Sequence, residues 1–324
     1  MKLLLDPRLL TCLFLLVLAA LLSVPIGALR RRPAPPRLIY SAAARLPTKR
    51  SFDVLYLMTA HESPECVRDA VRNILHFNRS SDVGVVINGS PDIDLDLTQL
   101  VGERVGLAPC AKRRTLFTFD ILEAYLEAGE WCWVEDLRAE YVVVLASNCM
   151  FWRDVDLLEI SATEQSGSSV GAHAGDSIMD ISRIGDVAFP WVHWPNILAN
   201  RRIIDDLRAV GITHLRQLQF EGTVYKFRDF MEMYRLITFT GVKQKITKQT
   251  VFEEFLPATL YKLITKRDLA SMCRVFWDLP HFTPSVKDIQ AQRLPCVKRV
   301  DRRLDDPVRR WLRESTSDYC GSAL

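Results

Sequence analysis

Two adjacent glutamates, Glu253 and Glu254, are the residues whose type and spacing most directly suggest chemistry. They open a predicted apolar helix, and Phe252, Phe255 and Leu256 flank them. A carboxylate at the edge of an apolar pocket has a raised pKa, so it can act as a general base near neutral pH. The pair also fits the first turn of an ordinary helix, where the helix dipole favours acidic side chains. Both interpretations stay open from the residues alone.

The basic residues of the C-terminal third form a second group that could do chemistry. They alternate with short apolar runs, and they are Lys262, Lys266, Arg267, Arg274, Lys287, Arg293, Lys298 and Arg299. Arginine and lysine can neutralise a diphosphate leaving group in place of Mg²⁺. Most of these side chains are nevertheless expected to be solvated surface.

A strand that would position such groups is predicted at residues 141–149. Its β-branched and aromatic residues are apolar on both faces, which is typical of a central strand covered by helices. The run stops at Ser147 and Asn148, and ligands of open α/β sheets bind beyond the carboxyl ends of such strands. Many sugar-nucleotide transferases carry a metal-binding Asp-x-Asp motif there, whereas here the first one, at 154–156, comes several residues later. A nucleotide-sugar site in this chain would need something other than a metal to neutralise the diphosphate.

Composition and charge exclude several classes of function. The net charge of the 324 residues is +3, which is too small to indicate binding of nucleic acid. Histidine is scarce, at 6 residues, and no two His or Cys residues show the spacing Cys-x-x-Cys or His-x-x-x-His. This spacing argues against a structural or catalytic zinc, and we expect no cofactor.

The pattern of apolar residues predicts an α/β fold with a central, mostly parallel sheet flanked by helices. The opening is a βαβ unit: a strand at 53–60, a helix from Pro64 to about Phe77 that Ser63 caps, and a strand at 83–87. Later segments predict a short strand at 101–105, helices at 117–130, 196–210 and 228–237, and a strand or hairpin at 218–227.

Residues 9–29 form an almost unbroken apolar segment and are predicted to be a signal anchor. At ~1.5 Å per residue the segment could just cross a hydrocarbon core of ~30 Å. A short tail, residues 1–8, precedes it, a Pro- and Arg-rich stem follows at 30–51, and the catalytic domain is predicted at 52–324.

The N-terminal segment has two other interpretations. It could be a cleaved signal peptide with a cleavage site at 26–28, or the catalytic domain could be cytoplasmic. The flanking charges favour the cytoplasmic domain, because more basic residues follow the segment (30–32 and Arg37) than precede it (Lys2 and Arg8).

Two further features bear on the compartment. Sequons at Asn78 and Asn88 predict N-glycosylation and thus favour the lumen. Besides Cys12 in the apolar segment, seven cysteines remain: Cys66, Cys110, Cys132, Cys149, Cys273, Cys296 and Cys320. Because seven is odd, at least one would be free or would pair between chains in an oxidising compartment. Buried, reduced cysteines in a cytosolic protein are the alternative.

Several motifs resemble one family of transferases. The strand at 54–61, followed by a helix and then by 85–88, resembles the opening of the core-2/I-branching β-1,6-N-acetylglucosaminyltransferases and their peptide O-xylosyltransferase relatives. The segment 221–225, followed by 228–230, is similar to that family's Gly-Ser-x-x-aromatic…Ser-Arg-Asp/Glu-aromatic segment, shortened by a residue or two.

The most specific match is the segment 253–260, Glu-Glu-Phe-Leu-Pro-Ala-Thr-Leu, which resembles the family's Asp-Glu-His-x-x-Ala-Thr-Leu motif. Glu254 takes the place of the catalytic base in that match. Arg274 and Lys298 resemble the two basic residues that bind the diphosphate. The resemblance extends thinly over residues 54–311, and it departs from the motif where Phe255 replaces the His.

The resemblance implies a type II Golgi membrane protein with a GT-A fold that is inverting and independent of metal. Glu254 would deprotonate an acceptor hydroxyl, which would attack the anomeric carbon of a UDP-sugar. Arg274 and Lys298 would stabilise the leaving diphosphate. His61 and Asn88, at the ends of the first two strands, would line the nucleoside pocket.

The resemblance leaves the acceptor side less defined. Glu221 would contact the acceptor, and Trp194 would stack on a sugar face unless it packs in the core. The expected partners are a UDP-sugar carrying N-acetylglucosamine or xylose, and a glycan or glycoprotein acceptor. The rival interpretation is a non-catalytic, membrane-anchored carbohydrate-binding protein on a degenerate transferase fold. Convergence of Glu254, Arg274 and Lys298 in one cleft would distinguish the enzyme from the binding protein.

Overall fold

The first described elements of the chain form the predicted strand–helix–strand unit. A computed structural model describes residues 50–61, 63–89, 104–108, 110, 113–166, 178–181, 191–276 and 283–316. In it β1 (Ser51–Ala60) and β2 (Val83–Gly89) are parallel neighbours joined by helix α1 (Pro64–Phe77). The Ser63 hydroxyl accepts a hydrogen bond from the Cys66 amide, and Pro64 lies in the first turn, as the sequence predicts.

Nine more strands and eight more helices are described. The strands are β3 (Val105–Ala108), β4 (Arg138–Ala146), β5 (Cys149–Phe151), β6 (Ile178–Asp180), β7 (His214–Arg216), β8 (Thr223–Lys226), β9 (Ala270–Ser271), β10 (Cys273–Val275) and β11 (Cys296–Lys298). The helices are α2 (Phe119–Val134), α3 (Leu157–Ser166), α4 (Trp194–Ala199), α5 (Arg201–Ala209), α6 (Phe227–Phe239), α7 (Leu256–Thr265), α8 (Val286–Gln290) and α9 (Pro307–Ser315).

The central sheet has six strands in the order β3–β2–β1–β4–β8–β9. The first four run parallel to one another, β8 is antiparallel to β4, and β9 is antiparallel to β8. The predicted α/β class is confirmed, and the central sheet is mixed. A three-stranded sheet, β10–β11–β5, and a two-stranded one, β6–β7, complete the described sheets.

Strand β4 is buried on both faces, as its sequence predicts. Val142 and Val144 pack into one apolar cluster with helices α2 and α6. Tyr141, Val143 and Leu145 pack on the other side of the sheet with helix α1. Helices cover both faces of the sheet. The polar residues Ser147 and Asn148 follow β4 and therefore lie at the carboxyl end of this central strand.

Several element boundaries differ from those predicted. The helix predicted at 196–210 is two helices, because the Asn200 side chain binds the backbone of Thr247 and Lys248 and interrupts the turn. Only β8 forms within the strand or hairpin predicted at 218–227, after Gly222 turns the chain with a φ of 91°. The strand predicted at 101–105 overlaps the start of β3, and residues 101–103 lie outside the described residues.

The predicted membrane anchor, residues 9–29, lies outside the described residues, as do the tail at 1–8 and nearly all of the stem at 30–51. Among the residues that are described, none of the helices has both the length and the apolar character required to span a bilayer. The anchor, the stem and the domain boundary at 52 stay predictions.

Candidate active site

The two glutamates lie in a short 3₁₀ turn, Phe252–Glu254, just before helix α7. The Leu218 amide donates a 2.7 Å hydrogen bond to the Glu254 carbonyl, which fixes this turn against the segment that leads into β8. The Phe252 ring packs edge-to-face on Phe119, with centroids 5.7 Å apart. The predicted helix therefore starts after the acidic pair, at Leu256, and the pair is held by tertiary contacts.

Burial raises the pKa of both Glu253 and Glu254. The pKa of Glu254 is raised to about 7, chiefly because the side chain is desolvated. The positive charges of Lys298 and Arg299 lower the pKa of Glu254, whereas the negative charge of Glu221 raises it. Burial, and then the charge of Glu254, raise the pKa of Glu253 well above its ordinary value. The predicted raised pKa of Glu254 is thus present in the structure.

Glu221 is the ion-pair partner of Lys298. The Lys298 ammonium lies 2.7 Å from a Glu221 carboxylate oxygen, and both side chains are largely buried. Burial alone would raise the pKa of Glu221, but Lys298 outweighs it and the pKa is lowered. Burial would likewise lower the pKa of Lys298, but Glu221 and Cys149 raise it. The structure therefore places Glu221 as a buried counterion, which corrects the expectation that it lies open to an acceptor.

Arg274 is not brought together with Lys298. In the three-stranded sheet Arg274 pairs with Val297, whereas Lys298 pairs with Val275. Side chains alternate between the faces of a sheet, so the two basic side chains leave opposite faces. The Arg274 guanidinium carbon lies 5.7 Å from the centroid of the Phe276 ring. Of the three predicted residues, Glu254 and Lys298 converge and Arg274 does not.

A cavity of about 360 Å³ opens beside Lys298 and is rich in basic residues. We call it the basic pocket, and its lining residues are Asn148, Thr283, Lys298, Arg299, Val300, Asp301 and Arg302. It lies at the carboxyl end of β4, where the sequence places a ligand. The Ser147 hydroxyl and the Asn148 amide oxygen there are buried and have no hydrogen-bond partner among the described residues.

Arg299 is a pocket residue that the sequence analysis includes among the basic residues but does not single out as part of the site. Its φ of 77° is rare for a residue with a side chain, and such strained conformations concentrate at functional sites. Together with Lys298 it acts electrostatically on Glu254. Nothing local in the sequence separates Arg299 from the neighbouring surface arginines, because its position depends on how β11 ends against the Asn148 turn.

Arg309 in helix α9 is fully buried and links three segments around the pocket through hydrogen bonds. Its guanidinium donates to Asp69 of α1 at 2.7 Å, to the Ser147 carbonyl at 2.9 Å and to the Asp301 carbonyl at 2.7 Å. One side chain therefore fixes the turn after β4 and the pocket loop relative to α1. Arg313 also donates to Asp69, at 3.3 Å.

The other predicted site residues are dispersed. His61 is exposed at the end of β1. Asn88 lies at the end of β2 beside Thr59 and is buried. Trp194 has no exposed surface and packs on Trp191, so it belongs to the core and cannot stack on a sugar in this structure.

The two predicted glycosylation sites are also corrected. The Asn78 side chain is fully buried and bonded, since its amide donates to the Ile74 carbonyl and its oxygen accepts from the Tyr56 hydroxyl. Asn88 is buried within the central sheet. Neither amide is open to a glycan in the folded domain.

Within the described ranges, no group of three or more His, Cys, Asp or Glu side chains is arranged to hold a metal ion. The late Asp-x-Asp has ordinary contacts: Asp156 accepts a 2.8 Å hydrogen bond from the Glu159 amide at the start of α3, and Asp154 is 3.5 Å from exposed Arg79.

Comparison with known proteins gives no independent assignment of this site. No model of a known protein family matches the chain, and a search of curated proteins finds no similar sequence.

A single methyl group added at Gly222, next to Glu221, is expected to have a large effect on stability. A Cβ there would lie 2.2 Å from the Cys273 Cβ, and the φ of 91° is strained for any other residue. We expect Gly222→Ala to lower the free energy of unfolding by roughly 3 kcal/mol, from backbone strain and overpacking together. Gly211→Ala is the matched control, because its φ is 84° and no atom lies within 4 Å. Chemical denaturation should show at most about 1 kcal/mol for the control; equal losses would contradict the packing argument.

Proposed function

We propose that the chain is an inverting, metal-independent glycosyltransferase that moves a sugar from a UDP-sugar to a hydroxyl group. The observation that carries the proposal is the half-buried Glu254 carboxylate, with a pKa of about 7, within the electrostatic reach of Lys298 and Arg299, which line the basic pocket. A base and a diphosphate-binding site next to each other are the two parts that this reaction needs. The α/β fold with a mixed sheet is compatible with the GT-A class that the sequence motifs imply.

In this mechanism Glu254 is the general base. Its pKa near neutrality leaves a substantial fraction ionised at pH 7 and still basic enough to take a proton. It would accept the proton of the acceptor hydroxyl as that oxygen attacks the anomeric carbon from the face opposite UDP. Burial raises the pKa of Glu253 well above its ordinary value, which favours the protonated form of this neighbour of the base.

Lys298 and Arg299 would bind the departing diphosphate. Lys298 keeps its charge because Glu221 holds its pKa high, so the pocket offers a fixed cation where negative charge develops. Arg302 lines the same pocket. We place Arg299 in the role that the motif assigned to Arg274, because Arg274 leaves the other face of the sheet.

The remaining parts of the proposal rest on the family resemblance. The donor sugar would be N-acetylglucosamine or xylose, and the acceptor a glycan or glycoprotein. His61 and Asn88 would line the nucleoside side. The protein would be a single-pass Golgi membrane protein with its catalytic domain in the lumen and residues 9–29 as anchor.

Two observations favour a second function. Arg274 and Lys298 do not converge, and Trp194 offers no stacking surface, so two parts of the family's machinery are not assembled. A non-catalytic protein that binds a nucleotide or a carbohydrate on a degenerate transferase fold would have these properties.

The test is release of UDP from a panel of UDP-sugars, measured in EDTA with candidate acceptors and again with Mn²⁺. Turnover that persists in EDTA supports the proposed mechanism. Turnover restored only by Mn²⁺ would contradict it. Binding of UDP by calorimetry, without turnover for any donor and acceptor, would support the non-catalytic alternative.

The pKa of Glu254 also predicts a pH profile. The base must be ionised, so kcat/KM should rise as the pH increases from about 6 to about 8, with a midpoint near 7. An ordinary glutamate, with a pKa of about 4.3, would give a flat profile over that range. Initial rates at fixed ionic strength decide between the two.

A further inference from the structure

Glu221 and Lys298 form a largely buried ion pair beside the basic pocket. The Lys298 ammonium lies 2.7 Å from Glu221 Oε2, and the Gln219 side-chain amide donates a hydrogen bond to the same oxygen. The Lys298 and Glu221 side chains are 14% and 10% exposed. Lys298 lines the basic pocket, whereas Glu221 is absent from the described lining residues. The ammonium therefore lies between a buried carboxylate on one side and the space for a ligand on the other.

The backbone on both sides of Glu221 is fixed by hydrogen bonds to other segments. The Leu218 amide donates to the Glu254 carbonyl at 2.7 Å, three residues before Glu221. The Gly222 amide, directly after Glu221, donates to the Val144 carbonyl of β4 at 2.6 Å. The Glu221 carboxylate is therefore held in place by its own segment of the chain.

Lys298 is the partner that can move. Its ammonium carries three rotatable N–H donors on a flexible stem of four carbons, so it can turn from one acceptor to another. While Lys298 is paired with Glu221, the two charges largely cancel, and Lys298 adds little to the positive potential of the pocket. A diphosphate carries more negative charge than a single carboxylate, so it can draw the ammonium away from Glu221.

We propose that Glu221 is an internal competitor for Lys298: it holds the ammonium in the free protein and releases it to a phosphate-bearing ligand that enters the basic pocket. Glu221 is then a positioning residue, because it acts on the ligand only through Lys298. The competition lowers the affinity for the anion and speeds its departure, since the carboxylate takes Lys298 back. The inference rests on the proposed function, because it takes the ligand to be a diphosphate.

Binding of inorganic pyrophosphate to the purified protein tests this competition. Glu221→Gln is nearly a pure change of charge, since Lys298 and Gln219 both contact one oxygen, Oε2, and a glutamine keeps one such oxygen. We expect calorimetry to show about tenfold tighter binding of pyrophosphate to this variant. Stopped-flow measurements should show most of that change as slower dissociation. A merely structural role for Glu221 predicts weaker binding instead.

Two matched variants separate the competition from a general change of charge. Asp305→Asn removes the same charge from a side chain that is 71% exposed, and affinity should stay within about twofold because solvent and salt screen that charge. The double variant Lys298→Met, Glu221→Gln should bind pyrophosphate within about twofold of Lys298→Met alone, because the gain requires Lys298. Thermal unfolding checks that each variant folds. If Glu221→Gln does not fold, Glu221→Asp replaces it, and its shorter side chain should give a gain of about threefold.

The outcomes distinguish this inference from the proposed function. Unchanged or weaker binding to the Glu221 variant, or an equal gain in the absence of Lys298, would overturn the competition and leave the proposed function standing. Pyrophosphate that binds none of the variants and not the parent protein would overturn the competition and also count against the diphosphate site of the proposed function.

Discussion

Glu254→Gln is expected to lower the rate of sugar transfer by about a hundredfold to ten-thousandfold, the usual contribution of a positioned general base. Glutamine has nearly the same size but cannot accept the acceptor's proton. The rise of kcat/KM with pH should disappear together with the activity, because the group that titrates near 7 is removed. Affinity for UDP should stay the same or increase slightly, because one negative charge near Lys298 is lost.

The measurement is UDP release from the active donor in EDTA, together with calorimetry of UDP binding. Glu314→Gln is the control, because Glu314 is an exposed glutamate on α9 and should have no effect on rate. Loss of activity accompanied by loss of UDP binding would indicate a disturbed pocket rather than a missing base. Full activity of Glu254→Gln would remove Glu254 from the mechanism.

Arg309→Met is expected to lower the free energy of unfolding by about 3–5 kcal/mol. Arg309 is fully buried and bonded to Asp69, Ser147 and Asp301. Methionine fills part of the volume but leaves the Asp69 carboxylate buried, with Arg313 as its remaining cation in the described contacts. The loss arises mainly from that poorly compensated charge rather than from the strength of the ion pair itself.

Chemical denaturation measures this loss. Arg310→Met is a matched control on the same helix, because the Arg310 guanidinium has only an exposed contact with the Asp305 carbonyl; we expect a change within about 0.5 kcal/mol. The double variant Arg309→Met, Asp69→Leu should recover part of the stability, since no buried charge is left. A double variant that is as unstable as the sum of the single ones would contradict this explanation.

Sequence signals predicted the parts of the fold that depend on neighbouring residues. The Ser63 cap and Pro64 define the start of α1, and the run from Tyr141 to Leu145 marks a strand buried on both faces. The sequence predicts a ligand beyond the end of that strand, and Asn148, which follows the strand, lines the basic pocket. The raised pKa of Glu254 followed from its apolar neighbours.

The rest depends on contacts between distant segments. Asn200 divides a predicted helix because of backbone groups at Thr247 and Lys248, which no local pattern reveals. The sequence left open whether Trp194 stacks on a sugar or packs in the core, and the structure places it in the core. The choice between Arg274 and Arg299 depends on the register of a three-residue strand, and a shift of one residue exchanges the two faces.

The contacts of Arg309 have a consequence for biosynthesis. Its partner Asp69 is 240 residues away along the chain, and the Cys66 thiol reaches the Arg302 carbonyl across 236 residues. The βαβ unit can form early during translation, because its contacts are short in sequence. The wall of the basic pocket cannot close until the ribosome has released helix α9. A nascent chain that stops before residue 309 is therefore expected to contain ordered structure but to lack the assembled basic pocket.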